Sequence, residues 1–121
     1  MTALATIAAA RGAIAKARID LSDEKEAQRQ IGEALTSAGI EFRREVPLSR
    51  RDRPDFFLDA AGLAIEVKLR AGKMDIWRQL SRYAEHDRVL ALMLVSNTSV
   101  ALPSEIAGKP LYFISLGRAW L

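Results

Sequence analysis

The chain contains no cysteine and a single histidine, His86, among its 121 residues. The first absence excludes disulfide frameworks, thiolate zinc sites and cysteine nucleophiles, and it fits a reducing cytoplasm. The second excludes multi-histidine metal sites. Any metal must then be held by carboxylates and carbonyls, which favours Mg²⁺ or Mn²⁺ over Zn²⁺. Long hydrophobic runs are also missing. No stretch approaches the roughly 20 apolar residues of a membrane span. Residues 3–10 are apolar but lack the basic start and the stronger run of a secretory signal. The expectation is a soluble, cytoplasmic protein with no membrane partner. Its length suits one domain, residues 1–121, and 50% of its residues are hydrophobic, enough for a core without disulfide or metal staples.

The net charge of +3 mildly favours a polyanionic partner. Its distribution says more. Arg43, Arg44, Arg50, Arg51 and Arg53 lie within one short stretch directly before an acidic motif. The planar fork of arginine suits bidentate phosphate contact, so Arg50, Arg51 and Arg53 are nucleic-acid-binding candidates; a solvated loop is the plain alternative.

Hydrophobic periodicity organises the rest. Residues 2–18 predict an Ala-rich helix interrupted at Gly12. A second helix opens near Asp23, with Glu26 as a capping-box partner; Ala27, Ile31, Ala34, Leu35 and Ala38 recur at helical spacing, and Gly39 ends it. From Phe42 the period becomes two, with Phe42, Arg44, Val46 and Leu48 on one side of a strand that Pro47 marks as an edge or an ending. A hairpin turning at Ala60-Ala61-Gly62, a helix over residues 75–86 with Ile76, Leu80, Tyr83 and Ala84 as its buried stripe, and a doubly buried strand over 89–95 follow. A turn of helix over 103–107 leads to a last strand over 111–116. These elements predict a mixed α/β sheet with helices on both faces.

The hairpin can be tested by arithmetic, because directly opposed residues in an antiparallel pair share a face and their numbers add to a constant. An Ala60-Ala61 loop sets that sum at 121, opposing Asp55 to Glu66, Phe56 to Ile65 and Leu58 to Leu63; a sum of 123 gives the same faces, and an even sum is disfavoured because it would scatter the charges into the core. Lys68 shares the face of Glu66 by the pleat. Phe56, Leu58, Leu63, Ile65 and Val67 then enter the core, and Asp55, Glu66 and Lys68 cluster on the opposite side. Such a cluster on a half-buried face is costly unless compensated, and a divalent cation is the natural compensator. Asp55, Glu66 and the backbone carbonyl of Val67 can each give an oxygen to Mg²⁺. The cation would acidify a bound water and neutralise charge on a phosphate, with Lys68 orienting that water or stabilising the transition state. The same side chains also read as an exposed cross-strand ion pair.

Pro54-Asp55, ten residues, then Glu66-Val67-Lys68 resembles the signature of the PD-(D/E)XK nuclease superfamily. The resemblance implies a restriction-endonuclease-like core of order αβββαβ over residues 22–96. Residues 1–20 become an extra N-terminal helix and 97–121 a C-terminal extension carrying the last strand. It implies a Mg²⁺- or Mn²⁺-dependent deoxyribonuclease with Asp55 and Glu66 as metal ligands and Lys68 as the catalytic lysine. Many members carry a further glutamate on the preceding helix: Glu26 is the first choice, Glu33 the second, and Glu24 the third; a plain capping role for Glu26 stays open. Gln79 and Tyr83 form Gln-x-x-x-Tyr, similar to a motif of recombination-type exonucleases, which implies that Gln79 leans toward Lys68 and contacts the water or DNA; Tyr83 reads first as a core residue with a wet hydroxyl and second as a nucleic-acid contact. Lys73, Arg78 and Arg82 are expected phosphate contacts. His86 reads better as a helix C-cap contact beside Asp87 than as an acid or base, and Trp77 and Trp120 as packing rather than base stacking. The N-terminal helix, with Leu4, Ile7, Ala8 and Ile14, is surplus to the implied core. It either packs back on its own domain or forms a homodimer. Non-cleaving alternatives are a nucleic-acid-binding or assembly module and a protein-binding accessory subunit.

Overall fold

In the computed structural model, which describes residues 2–117, Asp23 caps the second helix as its sequence predicts: Asp23 Oδ1 accepts from Lys25 N at 2.9 Å and Glu26 N at 3.4 Å. The described residues form three helices and six strands in a mixed α/β arrangement. In chain order these are α1 (Ala3–Lys16), α2 (Glu24–Ser37), β1 (Arg43–Arg44), β2 (Phe56–Leu58), β3 (Leu63–Lys68), α3 (Lys73–Ala84), β4 (Ala91–Ser96), β5 (Glu105–Ile106) and β6 (Lys109–Ser115). Trp120 lies outside the described residues. No described helix is long and apolar enough to cross a membrane.

One sheet runs in the order β1-β2-β3-β4-β6-β5. The register of β2 on β3 pairs Phe56 with Ile65, Phe57 with Ala64 and Leu58 with Leu63, the sum of 121 expected from the sequence. The turn between them is wider than two residues and spans 59–62. Gly62 is required there. Its φ is +59°, a Cβ would come within 2.7 Å of Leu90 Cγ, and its carbonyl accepts from both Leu90 N and Ala91 N. The β3–β4 and β4–β6 pairs are parallel, so three strands deliver their carboxyl ends to one edge of the sheet.

Alternation along the strands builds two cores. Phe56, Leu58, Ile65, Val67, Met93, Val95 and Ile114 pack under α1 and α2, whereas Phe57, Ala64, Leu92, Leu94 and Leu111 pack under α3. β4 is buried along its whole length, as its continuous apolar run predicts.

Three expectations are corrected. The helix α1 runs through Gly12 without interruption, because a glycine costs only about 1 kcal/mol and Ile7, Ala10 and Ile14 are buried along its length. Of the two alternatives for this helix, packing on its own domain accounts for Ile7 and Ile14, which serve this chain's core, while Leu4 and Ala8 are exposed. The strand expected from Phe42 to Leu48 shortens to β1, since Glu45 takes a φ of 50° and Pro47 follows. Residues 103–107 form no helical turn. Glu105 and Ile106 pair with β6 as a hairpin closed by Ala107 and Gly108, at φ 54° and 77°, the backbone hand that two-residue hairpin loops favour.

Candidate active site

The hairpin register continued by one pair sets Asp55 opposite Glu66, and Asp55 N donates to Glu66 Oε1 at 3.3 Å. Glu66 and Lys68 alternate with Ile65 and Val67, so they project on the α3 side near the carboxyl end of β3. Glu66 is 3% exposed, on a strand whose other buried residues are aliphatic. Its Oε2 lies 3.1 Å from Lys68 Nζ. Its Oε1 also receives the Tyr83 hydroxyl at 2.9 Å. Gln79 Nε2 in turn donates to Tyr83 Oη at 2.9 Å. Glu66 is thus steadied from β3 and from α3 together.

Asp55 is steadied from the other layer. Its Oδ2 accepts from Val67 N at 2.7 Å, and its Oδ1 accepts from Gln28 Nε2 of α2 at 3.2 Å. Arg44 closes the arrangement by donating to Gln28 Oε1 at 2.7 Å and to the Asp55 carbonyl at 2.9 Å. Nearby, Glu24 Oε1 accepts from Leu69 N at 2.9 Å, which brings a third carboxylate to the end of β3.

Burial and like charge dominate the electrostatics. Burial pushes the Asp55 carboxyl up to about 7, Glu66 and Glu24 add to the rise, and the Val67 amide and Lys68 oppose it. Glu66 is also raised by burial, against the pull of Lys68 and its hydrogen bonds. Burial would lower Lys68, but Glu66, Glu24 and Asp55 outweigh it and hold the ammonium above its usual range. Burial and the Glu66 charge raise Tyr83, so it stays a neutral phenol. Neutral donors orient both carboxylates without cancelling their charge, and Lys68 is the one cation paired with them among the described residues.

Asp55, Glu66 and Lys68 are therefore brought together as expected. Glu26 is not with them. It chelates Arg29 at 2.9 and 2.6 Å, and Glu33 pairs with the same guanidinium. Helical geometry explains the exchange: Glu24, Ala27, Gln28 and Ile31 share one face, while Glu26, Arg29 and Glu33 share another. The buried stripe of Ala27, Ile31 and Leu35, extended one turn upstream, points to Glu24. Gln79 reaches Tyr83 rather than Lys68, and Tyr83 is buried against Glu66.

The basic residues divide as well. Arg50, Arg51, Arg53, Lys73 and Arg78 are exposed, Arg78 beside Asp75 at 3.6 Å. Arg82 is not a free surface cation. Its Nε lies 2.9 Å from Oδ1 of the buried Asp52, and His86 Nε2 lies 3.0 Å from Oδ2. This pairing replaces the C-cap contact expected of His86. Trp77 packs half-buried against the α3-side core. Asp52 was invisible as a site residue because its partners are some 30 positions away.

Asp52 ties the arginine loop to α3, and the loop closes on itself through Leu48 N to Asp52 O at 2.8 Å. Asp52→Ala is expected to cost about 1.5–3 kcal/mol, the range for hydrogen bonds to charged groups, read by denaturant unfolding. Although burial opposes it, the hydrogen bonds and charges of His86 and Arg82 hold the Asp52 carboxyl below its usual value. With a depressed folded pKa, its contribution is present above the unfolded carboxylate value near 3.8 and is lost as pH falls through the folded one. The wild-type advantage over Asp52→Ala should shrink in strong acid; a constant gap would contradict this role.

Among the described residues no three Asp, Glu or His side chains gather as a self-sufficient metal cage. Asp55 and Glu66 form a pair of hard oxygen donors with an excess of negative charge, a donor set that suits Mg²⁺ completed by water and phosphate. Comparisons of the chain with models of known protein families, with curated proteins and with solved structures give no match.

Proposed function

We propose that this chain is a metal-dependent nuclease that hydrolyses phosphodiester bonds of DNA on a restriction-endonuclease-like fold. The observation that carries the reading is the convergence of Asp55, Glu66 and Lys68 at the end of β3, with both carboxylates raised by burial and both oriented by neutral donors. The chain order of α2, β1, β2, β3, α3 and β4 agrees with the αβββαβ core that the motif implies. The absence of cysteine suits a cytoplasmic setting.

Asp55, Glu66 and the Val67 carbonyl would hold Mg²⁺ or Mn²⁺, which supplies an acidified water and charge neutralisation at the phosphate. Gln28 and the Val67 amide keep the Asp55 carboxylate aimed. Tyr83, itself held by Gln79, keeps Glu66 Oε1 in place. Lys68 stays protonated and donates to the attacking water or to the phosphate oxygen on which charge builds. Glu24 adds negative potential to the same end of the sheet.

Purified protein should cleave DNA in Mg²⁺ or Mn²⁺ and should not do so in EDTA. Undiminished cleavage in EDTA would remove the metal mechanism, and DNA binding without cleavage in any divalent metal would favour a non-cleaving module. The arginine loop makes a separate prediction. If the exposed Arg50, Arg51 and Arg53 contact phosphates, each neutralisation should flatten the slope of log affinity against log salt by roughly one. Fluorescence anisotropy over a salt series reads this directly, and an unchanged slope would make the loop a solvated one.

A further inference from the structure

The segment that leaves β3 is gripped by two side chains in succession. Leu69 N donates to Glu24 Oε1 of α2 at 2.9 Å, and the next amide, Arg70 N, donates to Asn97 Oδ1, just past β4, at 2.9 Å. Arg70 itself takes a φ of 59°. This left-handed region crowds Cβ against the neighbouring carbonyl oxygen, and glycine or asparagine enters it with far less strain. Other residues persist there where their surroundings over-determine the backbone, and they gather at functional sites. Glu45 and Ala107 share the conformation for local reasons. Glu45 follows β1 with its amide on the Asp55 carbonyl at 3.3 Å, and Ala107 forms half of the β5–β6 turn.

The Arg70 side chain does nothing within the protein to offset this strain. It is exposed and, among the described residues, enters no ion pair, hydrogen bond or ring contact. Other cations at the site are engaged: Lys68 by Glu66, and Arg44 by Gln28 and the Asp55 carbonyl. Arg70 stands two residues after Lys68, so their Cα atoms are at most about 7.6 Å apart. The place is also where ligands collect in α/β sheets, outside the carboxyl ends of parallel strands. A guanidinium is a planar fork that pairs bidentately with phosphate, and one phosphodiester chain can lie against both residues.

We propose that Arg70 is a substrate-binding residue that takes a backbone phosphate of DNA next to the one held at Asp55, Glu66 and Lys68, with Asn97 as the positioning residue that fixes its backbone. The assignment of the reacting phosphate rests on the nuclease reading. The strain and the two grips belong together: a backbone fixed before the substrate arrives spends less conformational entropy on the contact. Glycine in the same place would relax the chain and remove the only group that the strained position presents to solvent.

Arg70→Gly removes the cation and relieves the backbone, whereas Arg70→Lys keeps a charge at the same place. Binding to a short DNA duplex is followed by fluorescence anisotropy over a salt series in Ca²⁺, which neutralises the carboxylates but fits an octahedral Mg²⁺ site poorly. At 0.1 M salt Arg70→Gly should weaken binding about five- to tenfold and flatten the slope of log affinity against log salt by roughly one, the loss of one phosphate contact. Arg70→Lys should keep the slope. The melting temperature of Arg70→Gly should equal or exceed that of the wild type. Asn97→Ala should weaken binding about two- to fivefold in the wild type and not at all in the Arg70→Gly background; additive losses would overturn its positioning role. Unchanged affinity and slope in Arg70→Gly, beside a wild type that cleaves DNA, would overturn the binding role while leaving the nuclease reading standing. A flattened slope in a protein that binds DNA and cleaves nothing would keep Arg70 and remove the nuclease. A marked loss of melting temperature in Arg70→Gly would make the arginine structural, and a wild type that does not bind DNA would overturn both readings.

Discussion

Asp55→Asn, Glu66→Gln and Lys68→Ala should each lower DNA cleavage by at least about 10²–10³-fold, the cost of removing one preorganised electrostatic element. In the proposed mechanism the three act on one reacting centre, so the single losses should resemble one another and should not multiply when combined. Stability should sort the same variants differently. Glu66→Gln and Asp55→Asn relieve crowding between two raised carboxylates, so neither should unfold the protein. Lys68→Ala removes the ammonium paired with Glu66 and should be the least stable of the three. Inactive variants whose stabilities differ in this order would match a functional cluster. If all three lost activity only in proportion to lost circular-dichroism signal, the site would be a structural ion pair.

The pH dependence of metal-free protein offers the second large effect. Burial first, then Glu66 and Glu24, push the Asp55 carboxyl from an ordinary 3.8 to about 7. A raised folded pKa contributes stability that is fully present below the unfolded value and is lost as pH rises through the folded one. Asp55 therefore works against folding between about pH 4 and 7, opposite in sign to Asp52. Melted in EDTA, wild type should fall relative to Asp55→Asn as pH is raised from about 5 to about 8. The change is on the order of a few kcal/mol, or about 10 °C. The change in the gap is the informative quantity, since the asparagine also alters the contacts with Gln28 and Val67 by a pH-independent amount. Mg²⁺ should recover part of the wild-type loss at pH 8 and do nothing for the variant. A gap that stays constant from pH 5 to 8 would contradict the electrostatic account of the site.

The parts of this fold that were legible in the chain are those where local pattern and global burial agree. Phe56, Leu58, Leu63 and Ile65 can enter a core together only if their numbers sum to an odd constant, and that condition also gathers Asp55, Glu66 and Lys68. β4 was legible because a strand flanked by helices on both faces has no polar side to show. Where several weak local signals compete, tertiary contacts decide. Glu26 matched a capping box, but Arg29 one turn later offered it a charged partner, and Glu24 lay on the face that meets β3. The β5–β6 hairpin was hidden because Ala107, a poor residue for positive φ, forms half of its turn. The clamp of Asp52 by Arg82 and His86 depends on tertiary approach alone, which no periodicity encodes. α1 looked surplus because the resemblance defined the core without it, whereas the exposed edge of the α2 layer needed Ile7 and Ile14 to complete it.

In the proposed site Asp55 and Glu66 share a divalent cation, and Mn²⁺ binding tests this without any assumption about substrate. Metal-free protein at pH 8 is titrated with Mn²⁺, and bound ion is followed by electron paramagnetic resonance, with broadening of the Val67 and Leu69 amide resonances as the local readout. Saturable binding is expected in the wild type, with displacement by Mg²⁺ and loss of both signals in Asp55→Asn and in Glu66→Gln. Binding of equal strength in all three proteins, or none in the wild type at millimolar Mn²⁺, would contradict it.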